Sequence, residues 1–314
     1  MEDIHEEQLR AGSRKSGYIY GILAFTLWGL LPVYWKMLNE ISAEEILANR
    51  IIWSCVFLFL VLGARGDYGK IRESLRPVRN RWLLLAASLL VSFNWFTYIW
   101  AVNSNYVVQA SLGYFINPLV VSLLSITVVK ERLNRGQYAA LGLAFTGVAI
   151  MTARYGQVPW VALILAVSFA LYGLIKKYLQ MESFMSLALE TLLMTPLALA
   201  FLLYRALAGT GTMTGLPWGT WVLVCLSGVV TATPLVWFTR STQLIKFSSV
   251  GFLQYIAPTL TLLLGIFLFR EEFSPIHLLG FSFIWAALLV YTGATLRQEF
   301  GRPWRREAKA GPAA

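Results

Sequence analysis

Arg50 and Glu190 are the two charges of this chain that stand deep inside apolar runs, in the matching segments ILANR and SLALE. Arg50 lies about six residues into its run, roughly 9 Å along a helix. A charge at the bilayer centre costs from about 2.5 kcal/mol upward. Two readings follow. The guanidinium snorkels outward to lipid headgroups, or it faces a wet cavity and holds an anionic substrate group or a partner carboxylate. Glu190, at the equivalent place in a later run, is the candidate partner. Entering from opposite faces of a core about 30 Å thick, the two would differ by about 10 Å in depth. They either pair or mark the two ends of one cavity. As the only acid deep in a run, Glu190 is also the candidate for coupling to a proton. A structural ion pair locking two helices is the competing role.

A second set follows helical spacing. Asn94 and Tyr98 are i, i+4 and share a face, with Trp95 at its border. Thr233 and Trp237 repeat the polar-then-aromatic pair, and Tyr114, Phe115 and Asn117 correspond to Gln254, Tyr255 and Ala257. Amides and hydroxyls at mid-span need partners, so each is either a bond between helices or a ligand contact. Together they suggest an aromatic cavity with a few hydrogen-bonding groups, suited to a small organic solute. The candidate binding residues are therefore Arg50, Glu190, Asn94, Trp95, Tyr98, Tyr114, Asn117, Trp237, Gln254 and Tyr255. The only histidines, His5 and His277, build no metal site, and no cofactor motif is present. Cys55 and Cys225 sit in apolar runs as packing residues.

The elements that must position these groups are membrane helices. The chain is 57% hydrophobic and 13% charged, with a mean hydropathy of +0.62. A soluble domain carries about 25% charged residues. At about 20 apolar residues per span, ten segments qualify: 17–38, 43–62, 81–102, 107–129 and 136–152, then 158–178, 184–205, 218–240, 247–269 and 275–296. The tails 1–16 and 297–314 are polar and expected to be mobile. Glu2, Asp3, Glu6 and Glu7 lead the chain and no small-residue site follows the first run, which argues against a cleaved signal peptide.

The formal charge of +10 points to topology rather than to nucleic acid. With both termini in the cytoplasm, 21 of the 26 Lys and Arg residues fall inside, as positive-inside orientation requires. They include six in the 63–81 loop, then Lys130, Arg132, Arg135, Lys176, Lys177, Arg240 and Lys246, and the basic tails. Outside lie only Lys36, Arg154, Arg205 and Arg270. Tyr18, Trp82, Trp160 and Trp218, near span ends, read as interface anchors.

The chain also repeats itself. VVQASLGYFINPLVVSLLSITVVKER, 107–132, is echoed by SSVGFLQYIAPTLTLLLGIFLFREE, 248–272. Phe115 with Tyr255, Ile116 with Ile256, Pro118 with Pro258 and Glu131 with Glu271 share one offset. AFTLWGL at 24–30 matches SFALYGL at 168–174, and Gly142 matches Gly280. A helix-interior proline costs about 3 kcal/mol in water, but a membrane bundle satisfies the freed carbonyl and tolerates a kink. With five spans per unit, the second unit enters the bilayer from the opposite face. The fold expected is an all-α membrane protein of ten transmembrane helices in two inverted five-helix repeats, 17–152 and 153–296, kinked at Pro118 and Pro258. Such repeats suit carriers that rock about a midplane site.

At AFTLWGLLPVYWK, AEEILANRIIW, NWFTYIWAVN, ASLGYFINPL and GFLQYIAPTL, the chain resembles the RarD-type proteins of the EamA family, within the drug/metabolite transporter superfamily. The resemblance covers nearly all of 17–296. It implies a bacterial inner-membrane carrier, a central path between the halves, and peripheral fifth and tenth helices. It does not name a substrate. The reading is an alternating-access transporter of a small metabolite or drug, amino-acid-sized or amphipathic, with export driven by a proton or solute gradient, working as a monomer or homodimer. A channel or facilitator and a non-transporting scaffold are the alternatives. Sparse histidines and unclustered acids argue against an enzyme.

Overall fold

The structure is a computed structural model describing residues 2–104, 106–153, 158–268 and 275–307, with side chains apart from those of 2–11, 99, 102–103, 107–108, 275–277 and 299–307. Arg154, Arg270, Glu271 and Lys309 lie outside the described residues, as do the side chains of His5 and His277.

Every described element is helical. The first half runs α1 (Glu2–Lys36), α2 (Ala43–Ala64), a short α3 (Gly69–Ser74), α4 (Val78–Asn103), α5 (Val107–Thr127) and α6 (Arg135–Ala153). The second runs α7 (Trp160–Tyr178), α8 (Ser183–Leu207), α9 (Trp218–Leu244), α10 (Phe247–Leu253), α11 (Ile256–Phe267) and α12 (Pro275–Glu307). Nine segments among the described residues are long and apolar enough to cross a membrane. The tenth long helix, α4, holds the remaining expected segment, 81–102. Large apolar side chains such as Leu60, Phe96, Phe145, Leu197 and Leu289 face outward, while Glu45, Lys176 and Glu190 are buried. That inversion of a soluble protein's surface is what a lipid solvent selects.

The two halves interlock rather than stand apart. α1 packs on α9 and α7 on α4; α5 packs on α7 and α11 on α1; α2 packs on α8, α5 on α10, and α6 on α12. Exchanging the halves maps this pairing onto itself, which is a pseudo-twofold relation. Five crossings per half place the second half in the inverted sense. The α6–α12 pair sits to one side, and α6 otherwise touches mainly α5.

Small residues permit the closest crossings, as expected where packing rather than hydrophobic force joins helices. A Cβ on Gly228 of α9 would lie 2.2 Å from the backbone carbonyl carbon of Trp53 in α2. Ser54 Oγ donates to Gly228 O beside it, at 3.0 Å. On α6 and α12 the close approach is between Gly147 and Gly280; Gly142, which the repeat aligns with Gly280, has open space before it.

The prolines act differently in the two halves. Pro258 lacks the N–H that would bond the carbonyl of Gln254, and there the helix breaks between α10 and α11. Pro118 holds the matching place, yet α5 runs through it unbroken. α1, α8 and α9 likewise continue past Pro32, Pro196 and Pro234.

Both tails depart from expectation. α1 extends back to Glu2 and α12 on to Glu307, because adding residues to an existing helix avoids the nucleation cost. Tyr18 is not simply an interface anchor, since its hydroxyl lies 3.2 Å from Ser249 Oγ.

Candidate functional site

Arg50 stands where four helices meet. It projects from α2, and its Nε donates to Thr231 Oγ1 of α9 at 3.0 Å. Its guanidinium carbon lies 4.8 Å from the ring centre of Trp35 on α1 and 5.5 Å from that of Trp95 on α4. Such contacts stabilise a cation by about 0.5–2 kcal/mol each. Tyr98 and Tyr114 lie within electrostatic range. Their rings meet edge to face at 6.3 Å, and both are exposed. The half-buried guanidinium thus stands beside aromatic side chains of α1, α4 and α5, with Thr231 of α9 at its Nε.

Glu190 is not Arg50's partner. Lys176 of α7 stands 2.5 Å from Glu190 Oε1, with the two side chains 0% and 2% exposed. Ser186 donates to the same oxygen at 2.9 Å, and Tyr172 to Oε2 at 3.1 Å. Lys176 also bonds Ser186. Lys176, which by sequence position reads as a cytoplasmic-side charge, belongs to the last turn of α7 and reaches inward to neutralise the carboxylate. Lys177 beside it donates to Thr242 O and Ile245 O at 3.2 and 2.9 Å.

Trp95 links the two charged places. It borders Arg50 on one side and, on the other, lines a cavity with Val91, Tyr172, Glu190, Thr191 and Met194. That cavity holds about 10 Å³, room for one water at most. Beyond it the repeated motifs meet. Phe25 and Trp28 from the first copy and Phe169 and Tyr172 from the second gather around Phe238, and Trp28 and Phe169 lie 6.0 Å apart.

The remaining candidates scatter. Asn94 donates to Leu165 O and Ser168 Oγ at 2.9 and 2.8 Å, and Asn117 to Ala166 O at 2.6 Å. Both amides clamp α7. Tyr255 is wholly buried, its hydroxyl donating to Phe115 O at 3.3 Å where α5 crosses the second half. Gln254 is buried nearby in sequence, and Trp237 packs at the edge of the main core. Asn117 Oδ1 and Gln254 Nε2 are buried without partners. The structure thus unites Arg50, Trp95, Tyr98 and Tyr114, sets Glu190 behind Trp95, and puts the others at helix contacts.

Sequence reasoning missed Trp35, Thr231, Lys176, Tyr172 and Ser186. A signal existed for three of these: Tyr172 and Lys176, and Ser186 and Glu190, are i, i+4 pairs on facing helices.

The repeats also meet at both ends of the α2–α8 pair. Arg205, near the end of α8, lies 3.4 Å from Glu45 at the start of α2; Thr212 N donates to the same carboxylate at 2.9 Å. Arg65, just past α2 and at the same offset, lies 3.6 Å from Glu182 before α8. In the same loop, the bond from Lys70 at 2.7 Å holds the Asp67 carboxyl below the usual range.

The sequence matches the model of the EamA-like transporter family twice, over residues 15–153 and 158–293. The chain belongs to the EamA-like transporter family. Its relatives include a Bacillus subtilis protein named uncharacterized transporter YojE, 45% identical over 94% of this chain and 98% of that one. Protein RarD of Streptomyces exfoliatus is 42% identical, covering 95% of this chain and 94% of the other. Protein RarD of Escherichia coli is 34% identical over 90% and 95%. A solved crystal structure shares the fold with a TM-score of 0.67 at 20% identity, covering 91% of this chain and 99% of that one. The protein is thus a multi-pass bacterial membrane protein of an EamA-type transporter family.

Proposed function

We propose that this EamA-family chain is a secondary carrier that moves a small amphipathic solute by alternating access. The halves 17–152 and 153–296 rock about the path between them. The observation that carries this reading is the Arg50 cleft: a cation among aromatic rings, at a meeting of helices from both halves. The Lys176–Glu190 pair and the aromatic cluster around Phe238 close the path on the far side of Trp95. The break at Gln254–Tyr255 before Pro258, and Pro118 at the matching place in α5, allow the crossing helices to swing. Asn117 and Gln254, each with an unmet buried group, are sites where such a swing exchanges bonds.

In the orientation of this reading both termini are cytoplasmic, in the inner membrane, and the Arg50 cleft opens outward. Export is the expected direction, with a proton gradient as the expected drive. The test is a solute screen on proteoliposomes of the purified full chain, with and without a pH gradient. Saturable flux that the gradient alters supports the reading. Flux proportional to concentration at all levels indicates a channel instead.

A further inference from the structure

We infer that the Arg50 cleft selects an organic monoanion, a carboxylate on an apolar body, over the zwitterion, cation or neutral amide of the same shape. This rests on the carrier reading and names the substrate class of that site.

Only Nε of Arg50 is engaged, by Thr231. The two terminal nitrogens donate to no protein group among the described residues, and no described carboxylate pairs with them. The other ions nearby already cancel. Glu190 receives Lys176, Ser186 and Tyr172, and Glu45 receives Thr212 and Arg205. The cleft therefore carries one uncompensated positive charge. A guanidinium tied at Nε presents its remaining edge as a planar fork, which matches a carboxylate with two parallel bonds.

The surroundings narrow the class further. Tyr98 and Tyr114, both exposed, offer flat apolar walls to a ligand's body. A phosphomonoester carries about −1.5 to −2 at neutral pH, leaving charge unmatched beside one arginine. A zwitterion brings an ammonium that needs an acceptor. The acids are taken, and the indole faces that bind cations are covered by Arg50 itself.

Thermal unfolding of the purified full chain in detergent tests this without any flux. The probes are indole-3-acetate, tryptophan, tryptamine and indole-3-acetamide, alike in body and different in charge, with benzoate and hexanoate as further carboxylates. A ligand that binds only the folded state raises Tm with concentration. Indole-3-acetate or another carboxylate is expected to raise Tm saturably at millimolar concentration, and tryptophan, tryptamine and the amide to act at least about tenfold more weakly. Arg50→Gln is expected to lose the shift and Arg50→Lys to weaken it. Tryptophan or tryptamine equalling indole-3-acetate overturns the inference, as does the absence of a shift with all three carboxylates. The wild-type comparison decides even where a variant fails to fold. Saturable flux of another solute alongside failed carboxylate binding would sink the anion inference and leave the carrier standing.

Discussion

Lys176 Nζ and Glu190 Oε1 lie 2.5 Å apart between α7 and α8, both closed to solvent. A buried pair of this kind is poor evidence for added stability, because desolvating two ions offsets most of their attraction. Its asymmetry is testable. Lys176→Met or Glu190→Leu alone strands a buried charge and is predicted to cost about 3–5 kcal/mol. The double variant is predicted to recover most of that. Thermal unfolding of the three proteins in detergent measures it, and additive losses would contradict the pairing.

Arg50 carries the opposite expectation, with little effect on folding and a large one on transport. Arg50→Ala removes the uncompensated cation found there among the described residues, and solute affinity is predicted to fall at least about tenfold. Arg50→Lys keeps the charge but loses the fork, so rescue should be incomplete. The readout is the half-saturating solute concentration in proteoliposomes, with unchanged elution on size exclusion as the folding control.

The two Arg–Glu contacts at the ends of α2 and α8 differ in burial. Glu45 is 1% exposed, while Arg65 and Glu182 are 44% and 39% exposed. Glu45→Gln therefore disturbs a buried network and is predicted to cost about 1–3 kcal/mol. Arg65→Ala is predicted to cost less than about 1 kcal/mol, as exposed pairs do. Equal losses in thermal unfolding would contradict this ordering.

Gly228→Ala places a Cβ 2.2 Å from the carbonyl carbon of Trp53. Overpacking a backbone contact is predicted to cost at least about 1–3 kcal/mol. Gly142→Ala, with nothing within 4 Å, is the silent control. Comparing their folded yields and Tm values checks both.

Much of the fold was legible because span length and the repeat are long-range signals. Phe115 with Tyr255 and AFTLWGL with SFALYGL reappear as places where the halves meet. The candidate site was only partly legible. Arg50 stood out because a lone charge in an apolar run has no cheap explanation. Lys176 did not, because a lysine beside Lys177 at a span end looks the same whether it faces water or folds back onto Glu190. Asn94 and Asn117 read as cavity groups, but a sequence does not say that α7 passes close enough to take both amides. Thr231 comes from α9, whose crossing with α2 depends on Gly228, and Trp35 from α1; no local pattern in either announces Arg50.

Trans-stimulation tests the central claim most directly. Proteoliposomes loaded with the labelled solute that the screen selects are diluted into buffer with or without the same solute unlabelled. Two halves that expose one site to alternate sides predict faster efflux when solute is present outside, and loss of that acceleration in Arg50→Ala. Efflux that is unchanged by external solute, and as fast in Arg50→Ala as in the wild type, would contradict the account.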